Sequence, residues 1–179
     1  MFVYMDTYSW IDPPVLIRPI RADDGERLSA SHDRLSPETR YRRFLSAKPQ
    51  LSGADIEYLV HVDGVDHIAL VATQPTIPGK PIVAVARCIR VPSSPDVGEF
   101  AIVVADELQG QGVGTRLVGR LAELAVAQGI TRFRATILSE NLPIQRLLTG
   151  MAAGPVTRTY YGETMEMELD LRRAQRLAA

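Results

Sequence analysis

The chain has 179 residues, 46% of them hydrophobic, which is the size and apolar content of one globular domain with a single core. A formal net charge of −1 excludes a nucleic-acid binder that works through general positive charge. The lone cysteine, Cys88, excludes an internal disulfide, and its place in an apolar strand-like run marks it as a buried, unreactive thiol.

Residues 1–14 mix aromatics with Asp12-Pro13-Pro14 and show no period, so they read as an irregular N-terminal arm. The segment has no basic stretch followed by a long apolar run, so no signal peptide is expected. No window approaches the roughly 20 apolar residues of a membrane span, and a cytoplasmic location is the default expectation. Val15 to Ile20 reads as a first strand, with Pro19 placing it at an edge or near its own end. Ala22 to Leu35 reads as a helix that opens on Asp23 and Asp24, where carboxylates suit the dipole. Ser36-Pro37-Glu38-Thr39 starts a second helix leading into Arg40-Tyr41-Arg42-Arg43-Phe44. That basic-aromatic run has two readings: a solvated helix with Tyr41 and Phe44 packed inward, or a helix bordering an acceptor cleft. Leu51 to Val62 forms a third helix, capped by Ser52 and broken by Asp63-Gly64.

Three strands follow, His67 to Ala72, Ile82 to Val91 and Val97 to Val104, joined by turns at 75–81 and 92–96. They read as an antiparallel meander. Gly112 to Gln128 has Val113, Leu117, Leu121 and Leu124 at helical spacing, and Gly129 ends it. Phe133 to Leu138 is the next strand, which completes a β-α-β unit. Asn141 to Thr149 is a short helix with Pro143 in its first turn, and Val156 to Tyr161 and Thr164 to Leu171 are closing strands. Residues 172–179 read as a solvated tail, which leaves 15–171 as the folded domain. The fold class is α/β of the α+β type: a mixed, mostly antiparallel sheet of six to seven strands flanked by helices.

The bend between the meander and the long helix carries the chemistry. Gln109-Gly110-Gln111-Gly112-Val113-Gly114-Thr115 removes Cβ atoms where the chain must turn and leaves successive N–H groups free to face one ligand. A helix starting directly after it adds unpaired N–H groups and the positive end of its dipole. A P-loop is excluded because Gly114 and Gly119 are followed by Arg120-Leu121 rather than Lys and a hydroxyl residue. The dinucleotide fingerprint fails because Thr115 or Leu117 stands where its third glycine belongs.

What remains, Gln109-x-x-Gly112-x-Gly114 after a strand, resembles the coenzyme A loop of the Gcn5-related N-acetyltransferases (GNAT). The element order resembles that family over nearly the whole chain. The resemblance implies the GNAT acyl-CoA N-acyltransferase fold, in which the strand before the loop and the strand after its helix splay apart and hold the pantetheine arm of acetyl-CoA. It places pantetheine contacts at Ile102, Val103 and Val104. Pyrophosphate contacts fall on the N–H groups of Gln109, Gly110, Gln111, Gly112, Val113, Gly114 and Thr115, with a further cofactor contact at Asn141. The segments 35–44, 65–72 and 98–104 look like the catalytic domain of bacterial protein lysine acetyltransferases, which often carry an additional regulatory domain. The expectation here is a catalytic domain regulated otherwise, or one with a different substrate.

The implied reaction is direct acetyl transfer from acetyl-CoA to a primary amine, a protein lysine being one candidate acceptor. Alternatives are a small-molecule acceptor (antibiotic, polyamine or amino acid) and a non-catalytic CoA-binding module. A lysine is neutral in only about one molecule in 2,500 at pH 7, so a base is useful. Glu99 matches the glutamate of the lysine-acetylating group and is the candidate catalytic base, directly or through a water; the alternative is a carboxylate paired with Arg87. A backbone N–H near Val104 would stabilise the developing oxyanion. Many family members carry a tyrosine in the helix after the asparagine, but Leu142 to Gly150 contains none, leaving Tyr160 and Tyr161 as fallback acids. His32, His61 and His67 lack ligand-like spacing, and no metal is expected. A homodimer through the aromatic arm or the closing strands is a further candidate. The partners expected are acetyl-CoA and an amine acceptor, with no nucleic acid and no membrane.

Overall fold

In a computed structural model of the chain, the backbone is described for residues 6–8 and 13–171, and side chains for 13–171. Most of the N-terminal arm and the tail 172–179 lie outside the described residues. The elements are strands β1 (Asp6–Tyr8), β2 (Val15–Pro19), β3 (His67–Thr73), β4 (Ile82–Val91), β5 (Ser94–Val104), β6 (Arg132–Leu138), β7 (Thr157–Tyr161) and β8 (Thr164–Asp170), with helices α1 (Gly25–Arg34), α2 (Pro37–Phe44), α3 (Gly53–Val60), α4 (Val113–Ala127) and α5 (Leu142–Met151). The strands form one sheet in the order β1-β2-β3-β4-β5-β6-β8-β7. Among the described residues only β5 and β6 run parallel, and α4 crosses between them. The sheet has eight strands instead of six to seven because Asp6–Tyr8, expected to be irregular, pairs with Val15 to Ile17.

Alternation along the strands gives the sheet two buried faces. One carries Ile68, Leu70, Cys88 and Phe100 against α4, whose Leu117, Val118, Leu121, Ala122 and Ala125 are fully buried. Burying a leucine stabilises by roughly 1.5–3 kcal/mol, so Leu117 and Leu121 anchor the helix. The other face carries Ala69, Val71 and Val85 against Leu28 of α1 and Val60 of α3. Cys88 lies fully buried under Gly98, where an added Cβ would stand 2.1 Å from its Sγ. Burial pushes its thiol up to about 12, which fits the expected unreactive role.

Two local departures have physical causes. The expected helix from Ala22 begins as a 3-10 turn, Ala22–Asp24, because Asp24 folds back to accept the Arg21 N–H at 2.9 Å. The expected turn 92–96 is tighter: β5 starts at Ser94, and Pro95 is tolerated because the β4–β5 register shifts between Arg90 and Val91, with the Arg90 guanidinium donating to the Pro95 carbonyl.

Asp24 is the buried electrostatic centre of the first helix. Its fully buried carboxylate accepts two hydrogen bonds from Arg18, at 2.6 and 2.7 Å, and pairs with Arg27 at 2.7 Å. Burial alone would raise its pKa, but the hydrogen bonds from Arg18 and Arg21 and the charges of Arg18 and Arg27 hold it below the ordinary value. Asp24→Asn leaves Arg18 buried without its counter-charge, so unfolding in urea is expected to show a loss of about 3–5 kcal/mol. A lowered native pKa stabilises above the unfolded value of about 3.9 and fades as pH falls through the native one. The wild-type advantage over Asp24→Asn is therefore constant from pH 7 to 5 and shrinks below about pH 4.

Candidate active site

Three pairs, Val97 with Arg132, Gly98 with Phe133 and Glu99 with Arg134, hold β5 to β6, and the ladder stops there. β5 continues to Val104 and β6 to Leu138, so a gap opens between them. Ala105 donates its N–H to the Val83 carbonyl at 2.8 Å, and alternation along the strand turns the N–H and C=O of Ile102 and Val104 away from β4 toward the gap. The result is a cavity of about 520 Å³ with backbone donors and acceptors along one wall.

The roof is the glycine bend. Gly110 and Gly112 have φ of +75° and +85°, a left-handed backbone that favours glycine, and Gly112 is the N-cap of α4 with no side-chain cap. The N–H groups of the first turn are thus left for a ligand. Gln109 braces the bend by donating to the Val104 carbonyl at 3.1 Å and to Thr39 Oγ1 at 3.3 Å. Asp106 locks it to the start of α2, accepting from Thr39 Oγ1 at 2.6 Å and from Ser36 Oγ and N–H at 2.8 and 2.9 Å. Burial would raise the Asp106 pKa, but these hydrogen bonds hold it below the ordinary carboxylate value.

Of the residues singled out in the sequence, Ile102, Val103, Val104, Gln109, Gly110, Gly112, Gly114, Thr115 and Asn141 line the cavity together. Gln111 turns out to donate to the Glu107 carbonyl, and the Val113 side chain is buried in the core; neither lines the gap. Asn141 caps α5 through Oδ1, 3.5 Å from the Ile144 N–H, which leaves its amide nitrogen for the gap. Glu99 is exposed and stands outside the lining, one same-face step from Ala101, about 7 Å along the strand. It does not pair with Arg87, whose guanidinium donates to His67 Nε2 at 2.8 Å and to the Leu59 carbonyl at 3.2 Å. Tyr160 and Tyr161, 63% and 61% exposed on β7, do not reach the gap either.

Three arginines complete the lining, Arg42 and Arg43 from α2 and Arg146 from α5, and no carboxylate does. Arg42 pairs with Glu38 through Nη2, and its Nε is buried there without a hydrogen-bond partner. The sequence offered Arg42 and Arg43 only within the cleft-bordering reading of α2, and the structure favours that reading: Tyr41, expected to pack inward, is 43% exposed. A chain of net charge −1 thus concentrates positive charge on one elongated gap roofed by free N–H groups. This donor set suits a long ligand with an amide-bearing arm and a pyrophosphate.

Comparison with known proteins agrees. Residues 37–151 match the model of the acetyltransferase (GNAT) family. The chain belongs to this family. Acetyltransferase Pat of Mycolicibacterium smegmatis is 34% identical over 137 residues, covering 76% of this chain and 40% of that protein. Acetyltransferase PA5475 of Pseudomonas aeruginosa is 30% identical over 136 residues, covering 74% of this chain and 71% of that protein. The crystal structure of the GNAT domain of S. lividans PAT superposes with a TM-score of 0.79 at 33% identity, covering 88% of this chain and 91% of that one. GNAT acetyltransferases use acetyl-CoA, and the gap, its roof and its arginines fit that molecule. Among the described residues no cluster of three His, Cys, Asp or Glu side chains could hold a metal, and no helix is long and apolar enough to cross a membrane.

Proposed function

We propose that this chain, a GNAT acetyltransferase, transfers the acetyl group of acetyl-CoA directly to the side-chain amine of a protein lysine in the cytoplasm. The observation that carries the reading is the gap that opens after Glu99 and Arg134, with the N–H groups of Ile102 and Val104 along its wall and the α4 N-terminus as its roof. The lysine acceptor rests on the likeness of segments 35–44, 65–72 and 98–104 to protein lysine acetyltransferases. Bound there, acetyl-CoA supplies a thioester carbonyl.

The chain's own groups supply the rest. The Ile102 to Val104 edge aligns the pantetheine arm, and the N–H groups from Gln109 to Thr115, with Arg42 and Arg146, hold the phosphates. Glu99 takes the proton of the attacking ammonium through a water, because its carboxylate is exposed to solvent and one strand step removed from Ala101 in the cavity wall. The Val104 N–H stabilises negative charge on the carbonyl oxygen. A thiol of pKa about 8.5 is a good enough leaving group to need no tyrosine.

The acceptor is tested by incubating the chain with acetyl-CoA and, separately, candidate proteins, lysine-containing peptides, polyamines and aminoglycosides, with products read by mass spectrometry. Acetyllysine on protein is the expected product. Efficient acetylation of a small amine with no modified protein lysine would move the acceptor to the small-molecule class.

A further inference from the structure

A second, smaller cavity of about 30 Å³ lies on the α1–α3 face of the sheet and shares two lining residues, Arg43 and Val103, with the acetyl-CoA gap. Its walls are mainly apolar, Leu28, Leu59 and Phe44 among them, yet its polar lining is Ser31, His32, Arg43 and Arg87, with no carboxylate. Arg87 is 4% exposed, and both groups it donates to, His67 Nε2 and the Leu59 carbonyl, are neutral acceptors. Arg43 lies over the Phe44 ring, 4.9 Å from its centroid, and has no ion pair among the described residues. Burial draws each guanidinium down to about 10, with Arg43's charge adding to the effect on Arg87, so both stay charged at neutral pH.

His32 makes the deficit specific. It is 4% exposed, and both ring nitrogens are buried without a hydrogen-bond partner; the carboxylate of Asp33 stands 3.7 Å away, beyond hydrogen-bonding distance. Burial lowers its pKa, so at neutral pH the ring is uncharged and offers one N–H. A buried cation, Arg87, a half-buried one, Arg43, and an orphaned donor around an apolar hole form an arrangement that an anion completes, since buried charge is costly unless paired. The cavity is small, about 30 Å³, which favours a compact anionic group such as a carboxylate. The planar fork of a guanidinium also matches a carboxylate.

We propose that this cavity is a carboxylate subsite of the acyl-transfer centre. It is filled by the terminal carboxylate of a dicarboxylic acyl group on the CoA thioester or by a carboxylate carried on the acceptor amine. The position supports it, because Val103 and Arg43 line both this cavity and the gap, so the cavity adjoins the wall along which the thioester lies in the function proposed above, on which this inference rests. With a succinyl donor the amine nitrogen forms a C–N bond to the acyl carbonyl and the C–S bond breaks. The sulfur departs with the electron pair and is protonated by the proton the amine gives up, while the distal carboxylate stays ionised on Arg43, Arg87 and His32.

Two ratios of kcat/KM separate the sources: succinyl-CoA over acetyl-CoA with one amine, and free lysine over cadaverine, its decarboxylated counterpart, with acetyl-CoA. In Arg43→Gln one of the two ratios falls about 10- to 100-fold, the succinyl ratio if the donor carries the carboxylate and the lysine ratio if the acceptor does. Arg87→Lys, which keeps the charge but loses the fork, shows a smaller fall in the same ratio and serves if Arg43→Gln does not fold. A readout independent of turnover is the ¹⁵N resonances of the His32 ring, expected to shift on titration with sodium succinate in the wild type and to stay put in Arg43→Gln. If no donor is turned over yet succinate still moves His32, the acyltransferase reading fails and the carboxylate site stands. Normal acetyl transfer with both ratios unchanged in the variants overturns the subsite, whatever the His32 resonances do.

Discussion

Gly112→Glu is expected to abolish acetyl-CoA binding, raising the calorimetric Kd by at least about 100-fold while the domain stays folded. Two effects combine. Gly112 sits at φ +85°, so any side chain there strains the backbone by about 1–2 kcal/mol. That strain is modest, and a Cβ at this position meets nothing within 4 Å. The larger effect is electrostatic. A carboxylate at the N-terminus of α4 is attracted by the same unpaired N–H groups and dipole end to which the proposed function assigns the pyrophosphate, so it helps the helix and occupies that anion site. Losing two charge-assisted hydrogen bonds costs about 3 kcal/mol or more, which is the predicted factor. Gly112→Ala carries the strain without the charge and is expected to stay within about tenfold of wild type. Equal binding by wild type and Gly112→Glu would mean that the bend does not hold the pyrophosphate.

The bend was legible in the sequence because its constraint is local: Gly110 and Gly112 both take a left-handed backbone, and the apolar spacing of Val113, Leu117 and Leu121 announces the helix after it. The meander of β3, β4 and β5 followed for a similar reason, since short turns force neighbours to pair. The splay of β5 from β6 is different. It depends on where a parallel ladder stops, and nothing in Phe100 to Val104 or Ala135 to Leu138 distinguishes a paired residue from an unpaired one; the resemblance to a family supplied it. Asp6–Tyr8 was missed because three residues are too few to show a period, and their pairing with β2 is a tertiary event. The carboxylate cavity was invisible for the same reason. His32, Arg43 and Arg87 lie on α1, α2 and β4, and only the packing of three elements makes their lack of a counter-ion apparent. Helical spacing also misled at Tyr41: pairing it with Phe44 suggested an inward face, whereas Thr39 is the buried residue of α2, tied by its hydroxyl to Asp106.

The gap is expected to support acetyl transfer to an amine with Glu99 as base. Glu99 has no ion pair among the described residues and is exposed beside the mouth of the gap, so Glu99→Gln removes the proton acceptor with little change in shape and no cost to the core. General bases contribute about 10²- to 10⁴-fold to rate. In the variant kcat should fall by that factor while the KM for acetyl-CoA, which the proposed function assigns to Ile102 to Val104 and the bend, stays within about twofold. Because the base must be ionised and the amine deprotonated, raising the pH should narrow the gap between the two enzymes. The most direct measurement is the time course of free thiol released from acetyl-CoA in the presence of an amine, matched against acetylated amine by mass spectrometry, for wild type and Glu99→Gln side by side. Equal amounts of thiol and acetylated amine from the wild type, with the variant slowed at least 100-fold, is the predicted result; no acetylated amine from the wild type, or equal rates from both enzymes, would contradict it.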